Sequence, residues 1–236
     1  KTASFHVSSE RQLYHCFGCG EGGNVVSFIM AIERMEFVEA MKYLAERAGI
    51  PLPDTSDQVL YQQKKDKKQL IIEINRECAK YYHQMLMKPE GKEALDYLFS
   101  RGLNNNIIRI FGLGYAPNSW ASARDYLNRQ GYTDQQLIEA GIVVQNPENG
   151  RIYDRFRNRI MFPIINTRGM VVGFGGRVMD DSLPKYLNSS DSPAFNKSVN
   201  LFGLNLAAKA RPLEYLIIAE GYMDVIALHQ YGFPQA

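Results

Sequence analysis

The apolar residues of this 236-residue chain change their period once, at Gly141, and that change decides the fold class. From residue 70 to residue 140 they recur at helical spacing, in runs at Leu70 to Met87, Lys92 to Arg101, Asn105 to Phe111, Trp120 to Arg129 and Thr133 to Ala140. Gly102, Gly131 and Gly141 each follow such a run, where helices commonly end on a left-handed residue. Beyond Gly141 the spacing shortens to two and β-branched residues take over. Ile142 to Gln145, Ile152 to Asp154, Arg157 to Ile165 and Met170 to Val178 read as strands, with turns at Asn146 to Gly150 and Asn166 to Gly169. Helices and strands in separate runs, rather than in alternation, make an α+β chain.

The flanks differ from this middle. Lys1 to Gly23 is rich in Ser, Gly, Cys and His without a sustained period, which predicts short strands and a knuckle. Asn24 caps a helical run from Val25 to Glu33, and a second helix runs from Phe37 to Ala48, ended by Gly49 and Pro51. Pro51 to Gln69 shifts to Pro, Asp, Gln and Lys and carries the run Lys64, Lys65, Asp66, Lys67, Lys68, the composition of a domain boundary leading into the next helix. At the far end, Tyr215 to Ala219 reads as a continuous apolar strand, followed by Glu220, Gly221 and an amphipathic helix from Met223 to Tyr231. One such βα step needs parallel neighbours that the chain does not supply. With Lys1 rather than Met at the start, a piece cut at both ends is expected.

An apolar content of 45 % can bury a core and excludes wholesale disorder. No stretch approaches the roughly 20 apolar residues of a bilayer span, so no membrane role is expected. Three cysteines are too few for a disulfide framework, which points to a reducing, cytoplasmic setting. The net charge of +2 conceals an asymmetry. Residues 151 to 211 hold ten Lys and Arg against four Asp and Glu, +6 there and −4 elsewhere. A basic middle of this kind suits a polyanionic partner.

Cys16 and Cys19 form Cys-x-x-Cys within Tyr-His-Cys-Phe-Gly-Cys-Gly, where Gly18 and Gly20 allow the tight knuckle that aims both thiolates at one ion. Zinc takes four ligands. The rest would come from upstream of Lys1 or from His6 or His15, while Cys78 sits mid-helix as a small buried hydrophobe. Arg155, Arg157 and Arg159 alternate, so on a strand their guanidiniums would share a face, with Phe156, Ile160 and Phe162 opposite. Guanidinium forks match phosphate oxygens. The glycine-rich Gly173-Phe-Gly-Gly-Arg177 and then Pro184-Lys-Tyr-Leu-Asn-Ser189 add close backbone approach, a cation and an aromatic ring. Glu220 stands where the apolar strand meets a helix start and Asp224 lies one turn on, well placed to hold a divalent cation or to act as acid or base.

In order, Lys-Thr-Ala-Ser-Phe (1 to 5), Tyr-His-Cys-Phe-Gly-Cys-Gly-Glu-Gly-Gly (14 to 23), Arg-Phe-Arg-Asn-Arg-Ile-Met-Phe-Pro-Ile (155 to 164), Gly-Phe-Gly-Gly-Arg (173 to 177), Pro-Lys-Tyr-Leu-Asn-Ser (184 to 189) and Glu-Gly-Tyr-Met-Asp-Val (220 to 225) resemble the bacterial replicative primases of the DnaG type. The resemblance implies a zinc-ribbon remnant over 1–52, a linker over 53–69, the basic subdomain of a primase core over 70–211 and the start of a Toprim fold over 212–236. It implies structural Zn2+ on Cys16 and Cys19, with a Cys-Pro-x-His element upstream supplying the other ligands, and catalytic Mg2+ or Mn2+ on Glu220 with partner aspartates downstream. Glu220 and Asp224 become the catalytic carboxylates. Arg157, Arg159, Arg177, Lys185, Tyr186, Lys197 and, further off, Arg101 become contacts to template or nucleotide. The implied partners are a single-stranded DNA template, ribonucleoside triphosphates, an RNA primer and a replicative helicase bound through a C-terminal domain. Primer synthesis by this piece alone is not expected. Short of the resemblance, the knuckle and basic ribbon also suit a non-catalytic zinc-ribbon protein that binds nucleic acid, and the carboxylates a Toprim nuclease or topoisomerase.

Overall fold

The N-terminal segment folds as its composition requires, into strands too short to bury much. The computed structural model describes residues 4–51, 56–211 and 213–236. The chain divides into two units, Lys1–Leu60 and Tyr61–Ala236. In the first, β1 (Phe5–Ser8), β2 (Leu13–Cys16) and β3 (Gly22–Asn24) form an antiparallel meander in which His6 lies opposite His15. Asn24 then caps α1 (Val25–Glu33), its Oδ1 accepting the Ser27 N–H at 3.0 Å. Glu36 and Glu39 form a capping box at the start of α2 (Phe37–Ala48). Rings of Phe5, Tyr14 and Phe28 lean on one another at 5.1–5.8 Å between centroids. Among the described residues of this unit, Ala40 and Ala45 alone are buried.

The second unit is a four-stranded antiparallel sheet between two groups of helices. The long helix α3 (Ser56–Met87) is followed by α4 (Lys92–Ser100), α5 (Asn105–Ile110), β4 (Gly114–Ala116), α6 (Ser122–Arg129) and α7 (Asp134–Glu139). A small hairpin, β5 (Val143–Gln145) and β6 (Ile152–Asp154), precedes β7 (Arg159–Ile165), β8 (Val171–Val178) and β9 (Tyr186–Asn188), and the chain closes with α8 (Leu204–Ala207) and α9 (Tyr222–Gln230). The sheet order is β4-β7-β8-β9.

Alternation along the strands makes two cores. Met161 and Phe174 face Ile71, Ile74 and Cys78 of α3, Leu127 of α6 and Leu137 of α7. Ile160 and Phe162 face the other way, towards Leu98 of α4, Ile107 and Ile108 of α5, and Val225 and Ile226 of α9. Asn75 of α3, itself buried, donates from Nδ2 to the Val172 carbonyl at 2.9 Å and ties helix to strand.

Two strand expectations fail here, each for a physical reason, and the stretch expected as a linker takes a definite structure. Most of the stretch expected as a linker is helical, because α3 begins at Ser56. Its lysine run is an exposed helix face, with Lys67 bridged to Glu139 at 3.0 Å. Residues 53–55 and the boundaries at 52 and 212 lie outside the described residues. The strand expected at Arg157 starts at Arg159, because Asn158 takes a left-handed φ of 48° and turns the chain. Residues 215–219 form no strand: the segment has no ladder partner among the described residues, and Ile218 is 77 % exposed.

Candidate functional site

The candidate residues gather in two places. The first is a cavity of about 460 Å3 whose wall includes Tyr186, Asn188, Lys197, Asn200, Glu220 and Tyr222. Tyr186 and Asn188 come from β9, Lys197 from the loop after it, and Glu220 and Tyr222 from the approach to α9. Gly221 is the extended N-cap of that helix, and Asp224 sits exposed in its first turn, where a carboxylate complements the helix dipole. Asp224 is not part of the cavity wall. Tyr222 keys this segment to the sheet. Its hydroxyl donates to Asn188 Oδ1 at 2.7 Å, its ring stacks on Phe162 at 5.1 Å, and burial pushes its pKa up to about 12. A Cβ on Gly175 would lie 2.6 Å from that ring, so only glycine leaves room for it.

The arginines do not form the single ribbon that their spacing suggests. Arg159 lies opposite Val178, and Arg177 opposite Ile160, so the two emerge on opposite faces of the sheet. Arg159 is 8 % exposed and donates to the Pro184 carbonyl at 2.9 Å; burial lowers its pKa. Arg177 donates from Nε to Tyr97 Oη at 2.9 Å and from Nη1 to Tyr186 Oη. Both therefore brace the Pro184 to Tyr186 segment from within. Arg155 donates to the Asn188 carbonyl at 3.0 Å while its buried Nε has no hydrogen-bond partner. Lys185 and Arg101 are exposed and are not part of that cavity wall.

Arg157 makes the second place. Its Cζ lies 4.1 Å from the centroid of the Trp120 ring and 5.2 Å from that of Tyr153, and Nη1 donates to the Asp154 carbonyl. Trp120 is 65 % exposed. An exposed indole beside a guanidinium is what unstacked bases and their phosphates bind. The periodicity assigned Trp120 to a helix, yet it precedes α6 in a loop. The signal for it was there: the sole tryptophan of the chain follows Pro117-Asn118-Ser119, a polar loop. None of Arg155, Arg157, Arg159 and Arg177 forms an ion pair with a carboxylate among the described residues; Arg159 and Arg177 are buried, whereas the half-buried Arg157 keeps a charge that can meet phosphate.

In the first unit, the Cys16 N–H donates to the Glu21 carbonyl and the Gly20 N–H to that of Cys16, which closes the knuckle. The Cys16 thiol is pulled down to about 7, chiefly by the Cys19 amide and then by the Ser4 hydroxyl and the Gly18 amide. A loop that favours thiolate suits zinc. His6 and His15 lie against the Phe17 ring at 5.4 and 4.6 Å, and no cluster of three metal-ligating side chains occurs among the described residues. Cys78 is fully buried and its thiol pushed up by burial, as expected of a core residue.

Similarity to known proteins follows the same division. The family described as DNA primase catalytic core, N-terminal domain, matches residues 81–208, and the CHC2 zinc finger matches residues 1–60. The DNA primase of Clostridium acetobutylicum is 47 % identical over 98 % of this chain and 38 % of its own length; that of Deinococcus radiodurans is 44 % identical over 100 % and 40 %. The chain thus spans about two fifths of the curated relatives it matches. Among solved structures, a DnaG primase catalytic domain bound to single-stranded DNA superposes with a TM-score of 0.66 at 42 % identity, covering 72 % of this chain and 55 % of that one. The zinc-binding and RNA polymerase domains of Aquifex aeolicus primase give 0.64 at 34 % identity, over 100 % and 56 %. With a zinc-finger match over the first unit, a core match over most of the second and identity above 40 % sustained along the chain, this protein belongs to the DnaG family of DNA primases.

Proposed function

We propose that the chain is part of a DNA-templated RNA polymerase that makes short RNA primers on single-stranded DNA. The observation that carries this reading is the cavity that gathers Tyr186, Lys197 and Glu220 beside the N-terminus of α9. The chemistry is attack of a primer 3′-hydroxyl on the α-phosphate of an incoming ribonucleoside triphosphate, with loss of pyrophosphate, so the protein's part is to position and to neutralise charge. Lys197 and Lys185 would hold triphosphate oxygens. Arg159 and Arg177 would brace the Pro184 to Tyr186 segment that presents Tyr186 to the cavity. Arg157 and Trp120 would hold the template strand.

Bound Mg2+ or Mn2+ supplies charge neutralisation at the triphosphate. Glu220 has the exposure and hard oxygen donors to hold such an ion, with Asp224 as its acidic companion one turn on. Two carboxylates are fewer than a two-metal site needs, and the rest of the protein would complete the set. Zn2+ would sit on Cys16 and Cys19. The domain reading is a zinc ribbon over 1–52, a connecting stretch over 53–69, a basic subdomain over 70–211 and the start of a Toprim fold over 212–236. The whole protein would work in the cytoplasm at the replication fork, beside the replicative helicase.

The test is Glu220→Gln in the whole protein. It should abolish primer synthesis while single-stranded DNA is bound as before; retained synthesis would remove Glu220 from the chemistry.

A further inference from the structure

Helix α6 begins without a cap of its own. Its N-cap residue, Ala121, has no side-chain acceptor, which leaves the first-turn amides to be satisfied from elsewhere. Asp154 supplies the acceptors from β6. Its Oδ2 accepts the Ala123 N–H at 2.8 Å and the Ser122 hydroxyl at 3.3 Å, and its Oδ1 accepts the Arg124 N–H at 3.0 Å. The backbone of the same residue is equally engaged. The Asp154 N–H donates to the Trp120 carbonyl at 2.7 Å, and the Asp154 carbonyl accepts from Arg157 Nη1. Tyr153, the preceding residue, packs its ring edge-on to Trp120 at 5.5 Å.

Asp154 is 1 % exposed and makes no ion pair among the described residues. A buried carboxylate without a cation is expensive, and a serine or aspartate at position 121 would cap α6 without that expense. What position 154 adds is coupling. It is one residue from Tyr153 and three from Arg157, and it holds the loop carrying Trp120 at both the Trp120 carbonyl and the first turn of α6. The geometry points to Asp154 as the positioning residue of the Trp120–Arg157 platform: its carboxylate and backbone lock the indole against the guanidinium, so that a single-stranded nucleic acid meets a surface already formed. This rests on the reading of that platform as the template contact, and the test separates the two.

The readout is built in, because Trp120 is the only tryptophan in the chain. Asp154→Asn keeps the size and the backbone bonds but turns an amide NH2 towards one of the helix amides it should accept from. With helical content unchanged by circular dichroism, the variant should raise the acrylamide quenching of Trp120. It should also weaken binding of a labelled oligothymidylate by about tenfold, the worth of one stacked base. In Trp120→Ala, adding Asp154→Asn should cost no further affinity, since a positioning residue acts through what it positions; a purely structural role would subtract again. A folded Asp154→Asn chain with unchanged quenching overturns the proposal, and so does an additive double variant. If Asp154→Asn does not fold, Ser122→Ala removes one of the three donors at the carboxylate, and unchanged quenching there overturns it equally. If Trp120→Ala and Arg157→Ala both bind oligothymidylate like the parent, the template reading fails, and the quenching arm still decides whether Asp154 positions the indole.

Discussion

The two units of this chain hold their shape by different means. In the first, two buried alanines and a stack of half-exposed rings carry three short strands and two helices, with Phe17 and Val7 open to solvent. In the second, a sheet with a core on each face buries Phe156, Phe162, Phe174, Tyr82 and sixteen Ile, Leu and Val side chains. Small domains bury too little to stand on hydrophobic burial alone and take a cross-link instead; large ones do not need it. Cys16 sits in a surface knuckle of the first unit and Cys78 in the packed core of the second, within one chain.

The sharpest way to break the contrast is to cut one ring from each unit. Phe174→Ala, at a fully buried site, should cost about 3–5 kcal/mol in denaturant unfolding of the second unit, whereas Phe17→Ala should change stability by under about 0.5 kcal/mol. Equal losses would mean that the first unit has a core after all. Thiol chemistry gives a smaller but cleaner separation. Cys16 and Cys19 should take iodoacetamide quickly in the native metal-free chain and slowly once Zn2+ is added, while Cys78 should react only as the second unit unfolds. Native-state labelling of Cys78 at the rate of Cys19 would contradict the packing.

The smallest effect is electrostatic. Arg124 donates from two nitrogens to Asp134 on the neighbouring helix, and this contact, with Asn128, holds the Asp134 carboxyl below its usual value. The pair is partly exposed, so Asp134→Asn should cost only about 1 kcal/mol at neutral pH. A lowered folded-state pKa contributes stability above the unfolded value that is lost as pH falls through the folded one. The difference between parent and variant should therefore vanish in acid. A difference that persists there would mean the residue acts through shape rather than charge.

What could be read in the sequence divides along physical lines. Helix α1 starts where Asn24 says and α2 stops where Gly49 says, because capping is a local matter of one side chain or one φ. The three-residue strand β4 carries too few residues for any period, and residues 215–219 read as a strand although strandedness belongs to a pair of segments, not to one. At the site, Tyr186, Lys197 and Glu220, drawn from three separate sequence blocks, line one cavity, a meeting that no single block announces. The alternation of Arg157 and Arg159 suggests one face, but Asn158 between them takes a left-handed φ, which asparagine tolerates better than most residues, and breaks the strand there. Asp154 was invisible, since nothing local distinguishes a buried acceptor for a distant helix from one more surface acid.

The bare stretch of β8 has a wider consequence. At Gly173, Gly175 and Gly176 an added Cβ would meet Phe195 at 3.0 Å, Tyr222 at 2.6 Å and Phe156 at 2.9 Å. Segments far apart in the chain thus each press a ring into a gap left in the same strand, from both of its faces. The strand works as a gauge block: its blank surfaces set how far three separate pieces can advance. One extra methyl group there would push the hairpin entrance, the loop behind the cavity or the helix that follows Glu220 out of true, each by its own ring.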